Sequence, residues 1–105
     1  MPGFRNDEER AAWLLAEQLM EKGRAVMRQA ESALEAFMIG KELNRQWCSR
    51  RGIGATDAEI RWAETSIAQK ALGENSFNVS QAMMYYGAAA AQYSRAAYLR
   101  SRGSR

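Results

Sequence analysis

The chain has 105 residues, enough for one domain and too few for a second independent core. It has no histidine and a single cysteine, Cys48, which excludes an internal disulfide, thiolate–imidazole zinc sites and the commonest general base. The formal charge is only +3, but all twelve acidic residues lie at or before Glu74, so the C-terminal part is basic.

Nineteen Ala and six Met stand against seven Leu, four Ile and two Val, and the one proline is Pro2. Ala, Met, Glu, Gln and Arg favour helix, and the β-branched residues that favour strands are scarce. The expected fold is therefore all-α. It has three helices (one long and N-terminal, one short, one apolar and C-terminal) in a bundle or hairpin completed by oligomerisation. Residues 1–105 read as one helical domain, with 1–6 and 102–105 as disordered tails.

The first helix is predicted from Asn6 or Asp7 to Ser49. Either residue can cap it, and Glu8 and Glu9 suit the positive end of its dipole. Two seven-residue ladders run along it, Leu19-Val26-Ala33-Gly40-Trp47 and Ala16-Gly23-Ala30-Phe37. Such ladders form a narrow seam for another helix. Small residues in the middle of the seam let a neighbouring backbone come close, although Gly23 and Gly40 could instead mark a bend or break. Two glycines in Arg50-Arg51-Gly52-Ile53-Gly54 end the helix.

Thr56-Asp57-Ala58-Glu59 reads as a capping box. It opens a second helix to about Leu72, with Ile60, Ala63, Ile67, Ala71 and Leu72 as its apolar face and Gly73 as its C-terminal stop. Gly73 to Val79, rich in Asn and Ser, is expected to be a loop. The third helix should start at Asn78 or Ser80 and reach about Ser101. Its run from Ala82 to Ala91 carries no charge on any face, and a helix apolar all round is expected to be surrounded.

No catalytic, cofactor or metal site is expected. The pairs Glu17/Glu21 and Glu31/Glu35 lack the accompanying His of a helical di-metal site and read as solvated faces. Cys48 has arginines nearby but no base, which suits an incidental thiol. The N-terminal residues read as no secretory signal, and the most apolar stretch is too short to span a membrane. A soluble cytoplasmic protein without membrane contact is the expectation.

These features point to a non-enzymatic interaction or assembly protein that associates with itself or with another protein. It would serve as an adaptor, a small structural subunit such as a phage particle component, or a partner-binding inhibitor. The candidate contact surface is Gly23, Ala30, Ala33 and Gly40 of the first helix with Met83, Ala89, Ala90 and Tyr93 of the third. The alternative is nonspecific nucleic-acid binding, or an acidic partner, through Arg45, Arg50, Arg51, Arg95, Arg100 and Arg102. That alternative gains if the third helix runs parallel to the first, which would gather both arginine clusters at one end.

Overall fold

A computed structural model describes residues 3–102. Among them are three α-helices and no strand: α1 (Asp7–Ser49), α2 (Ala55–Ala63) and α3 (Ser66–Arg102). The all-α expectation holds. Of the expected tails, residues 1–2 and 103–105, Arg105 included, lie outside the described residues. Phe4 packs on Trp13 with ring centroids 6.4 Å apart, and Arg102 is the last residue of α3.

Helix α1 begins where its capping chemistry predicts. Asn6 Oδ1 accepts the Glu9 backbone N–H at 2.7 Å, while the Glu9 carboxylate accepts the Arg5 N–H at 2.9 Å. It runs without interruption through Gly23 and Gly40. Its end is a Schellman motif: Ile53 N–H donates to Cys48 O at 2.9 Å, and Gly52 N–H to Ser49 O at 3.1 Å. Gly52, at φ 74°, takes the left-handed conformation that this closure requires.

The second break falls elsewhere than expected. Helix α2 stops at Ala63, and α3 starts only three residues later, at Ser66. Thr65 makes this junction. Its hydroxyl donates to Trp62 O at 2.7 Å and accepts the Ala68 N–H at 3.1 Å, so one side chain closes α2 and caps α3. The Thr56 capping box does not form; Gly54 occupies the N-cap position with no side-chain bond.

Gly73 to Val79 is helix, not loop. Tertiary contacts override the turn propensity there. Asn75 Nδ2 donates to the Ala30 carbonyl on α1 at 2.8 Å, and Asn78 Nδ2 bonds back to Glu74 O at 2.8 Å. The expected apolar face of the second helix is also corrected. Ala58, Trp62 and Ala68 are buried, whereas Ile60, Ile67 and Leu72 are exposed. Within α2 the inward pair is Ala58 and Trp62, four residues apart, which turns Ile60 outward; beyond the break at Thr65, α3 takes up a new phase with Ala68 inward.

The chain divides into two compact units. One gathers Met1–Val26 with Ser80–Arg105; the other is Met27–Val79. In the first, α1 and α3 run antiparallel: Glu9 meets Arg100, Glu17 meets Tyr93, and Gly23 meets Tyr86. Ala12, Ala16, Ala82, Ala89, Ala96 and Leu99 are its buried apolar residues, and Trp13 packs on Ala12, Ala96 and Leu99. In the second, α2 lies antiparallel to the end of α1. Asn44 Nδ2 donates to Ala58 O at 2.9 Å, and the Trp62 ring rests on Gly40 and against Phe37 at 5.6 Å.

Two glycines of α1 are thus seats for rings. A Cβ on Gly23 would lie 2.5 Å from Tyr86, and one on Gly40 would overlap Trp62. Gly40→Ala should therefore destabilise the protein by about 1–3 kcal/mol through overpacking, despite the better helix propensity of Ala. Gly73→Ala and Gly87→Ala, where an added Cβ meets nothing within 4 Å, should stabilise it by about 0.5–1 kcal/mol. Urea unfolding followed by circular dichroism checks both. Stabilisation by all three substitutions would refute the ring-seat account.

Candidate interaction surface

The interior is made of the smallest apolar side chain. Among the described residues twelve apolar side chains are buried; nine are alanine, and the others are Cys48, Trp62 and Leu99. Small side chains fill a seam between helices that approach closely, and this leaves little room inside for Leu, Ile, Met or Phe. Leu99 is buried and Phe37 half-buried, but most of these residues lie outside. Fourteen large apolar side chains among the described residues are between 39% and 70% exposed.

In the second unit the exposed set includes Leu34, Met38, Ile39, Leu43 and Trp47 on α1, Ile60 on α2 and Phe77 on α3. Ile39, Leu43 and Trp47 recur every fourth residue and form one stripe. Arg51 stacks over Trp47 at 3.8 Å from the ring centroid and closes the stripe with a guanidinium. In the first unit, Leu14, Leu15, Met83, Met84 and Tyr98 are exposed.

The second unit also has a groove of about 250 Å³ between α1 and α2, with Met38, Ala55 and Ala58 among its walls. Its rim is ionic. Lys41 Nζ meets Glu59 at 2.9 Å, and Arg45 grips Glu42 with two bonds of 2.6 and 2.9 Å. Hydrogen bonds from Arg45, then from Gln46, hold the Glu42 carboxyl down at about 2. Lys41 lowers Glu59 in the same way. In the first unit, Phe4, Glu9, Trp13, Tyr93 and Arg100 line a groove of about 220 Å³. There Tyr93 Oη donates to Glu17 at 2.6 Å, and this bond raises the phenol above its ordinary value.

The residues singled out in the sequence are placed as follows. Gly23, Ala30, Ala33 and Ala89 are buried, and Gly40 and Tyr93 are half-buried. They build the interiors of the two units. Met83 and Ala90 are exposed. Ala89→Glu therefore reports on folding, not on a surface. The arginines fall in different units: Arg45, Arg50 and Arg51 in Met27–Val79, and Arg95, Arg100 and Arg102 in the other. The parallel course of α3 that would gather them is not found, because α3 runs antiparallel to α1 in the first unit. Arg45 and Arg51 are engaged by Glu42 and Trp47, and Arg100 lies 3.9 Å from the buried Glu9.

Cys48 is fully buried. Among the described residues no group of three or more His, Cys, Asp and Glu converges, and no helix is long and apolar enough to cross a membrane. The sequence reading missed the stripe on α1 because Ile39 and Leu43 lie off the two ladders that it followed. Their recurrence every fourth residue was the available signal. No protein-family model matches the chain, and no significant match to it was found among curated proteins or solved structures.

The Glu42 carboxyl is depressed in the folded chain. Its contribution to stability is therefore present above the ordinary value of 4.5 and is lost as pH falls from there towards about 2. In an NMR titration Glu42 should titrate near pH 2, and Arg45→Ala should return it towards 4.5. An unchanged midpoint in that variant would show that Arg45 does not hold it.

Proposed function

We propose that the protein acts by contact rather than by catalysis, as a self-associating assembly or adaptor protein. One observation carries this reading: the interior is mostly alanine, while most of the large apolar side chains are outside. Scattered exposed apolar residues are ordinary on any protein, but contiguous patches mark interaction surfaces. The stripe Ile39-Leu43-Trp47 on α1 is such a concentration. Burying one such side chain fully is worth about 1.5–3 kcal/mol, so a few of them suffice to drive association.

The surface that supports this reading is not the small-residue seam. Those residues hold the chain's own helices together, so contact with a second chain falls to the large side chains outside. Association of that kind is hydrophobic and depends weakly on salt, whereas binding through arginines to phosphates weakens steeply as salt rises.

Light scattering after size exclusion, over a concentration series at low and high salt, tests the proposal. The expected result is a discrete oligomer whose mass is kept at high salt. A single-chain mass at every concentration would overturn it.

A further inference from the structure

The stripe on α1 has a symmetry that selects its occupant. Leu43 is its centre. Four residues to either side lie Ile39 and Trp47, seven to either side Ala36 and Arg50, and eight to either side Glu35 and Arg51. Spacings of three and four residues keep Ala36, Ile39, Leu43, Trp47 and Arg50 on one side of the helix. Arg50 N–H still donates to Gln46 O at 3.2 Å, so the helical course reaches it. All of these residues are exposed: Ile39 55%, Leu43 60% and Trp47 45%.

We propose that this face of α1 is a contact between two copies of the chain, laid antiparallel about a two-fold axis at Leu43. This inference rests on the self-association reading and specifies its surface. A two-fold contact presents the same patch from both sides, so the patch must complement itself. Turned end to end about Leu43, it does so. Leu43 meets Leu43, Ile39 meets Trp47, and the small Ala36 leaves space for the long Arg50. Glu35 then comes next to Arg50 of the second copy, on the same flank of the contact. Among the described residues neither Glu35 nor Arg50 has an ion-pair partner within the chain. A parallel copy would set Glu35 against Glu35 and Arg50 against Arg50, and that repulsion disfavours it.

The test uses the full chain, with sedimentation equilibrium for mass and circular dichroism for folding. Leu43→Glu should reduce the mass to that of one chain with helicity kept, because Leu43 is exposed. Glu35→Arg, and separately Arg50→Glu with Arg51→Glu, should each raise the dissociation constant about tenfold or more; the three changes together should restore association, since each acid again faces a base. Leu43→Cys should yield a disulfide-linked dimer under mild oxidation, whereas Ile39→Cys, displaced from the axis, should not. An unchanged oligomer in Leu43→Glu would overturn this face and leave self-association standing. Failure of the combined charge reversal to restore association, or of Leu43→Cys to cross-link, would overturn the antiparallel register. A wild-type chain of single mass throughout would overturn both proposals.

Discussion

Close approach of helix backbones is the constraint on which the structure depends. Along α1 the inward positions are Ala12, Ala16, Gly23, Ala30 and Ala33, and along α3 they are Ala68, Ala82, Ala89 and Ala96. With a methyl group or a hydrogen at these positions, facing helices can come nearer than Leu or Phe would permit. Dispersion contacts between backbones then replace contacts between large side chains. Asn75 fits the same geometry: a short amide can reach the Ala30 carbonyl only when the two helices are close.

Where the seam opens, an aromatic ring is laid on a glycine. Tyr86 covers Gly23, and Trp62 covers Gly40. Each pair gives a large ring somewhere to lie without forcing the helices apart. For Trp62 the arrangement has a cost where Nε1 stays unpaired: it is buried and bonds to no group among the described residues, and such an orphan costs about 1–3 kcal/mol. Burial of the indole outweighs it, since deletion of a buried Trp commonly costs about 3–5 kcal/mol. The two rings therefore do the anchoring that large aliphatic residues do in thicker cores.

An interior built in this way determines what the surface must carry. Most Leu, Ile and Met side chains, and Phe77, have no inward place and stand outside, where they are open to burial against a second surface. The charges at the same surface are arranged locally. Glu42 is clamped by Arg45, and Lys41 is tied to Glu59. These pairs keep the rim solvated and leave Glu35 and Arg50 at the two ends of the apolar stripe. The antiparallel course of α3 also sets the basic end of the chain beside the acidic first turn of α1, where Arg100 approaches Glu9. The Arg100 charge is thereby partly neutralised within the chain.

Although it left open whether α1 continues through Gly23 and Gly40, the sequence by itself determined the helical class, the start of α1 at Asn6 or Asp7 and its end at the Gly52–Gly54 turn. These are local matters, decided by propensity, by a capping side chain and by the one residue type that tolerates a left-handed turn. It also showed the ladder of small residues on α1, but not what the ladder faces. The tertiary structure decided the rest. The spacing Ala68-Asn75-Ala82-Ala89-Ala96 is regular, yet Gly73, Asn75, Ser76 and Asn78 read locally as a loop and conceal it. Only the bond from Asn75 to Ala30 and the packing of α3 keep that stretch helical. Thr65 lies inside the expected second helix, yet its hydroxyl bonds Trp62 O and the Ala68 N–H, closing α2 and capping α3. Periodicity reports which positions lie on one face; which face turns inward depends on how the alternatives fit against another helix, and that fit exists only in the folded chain.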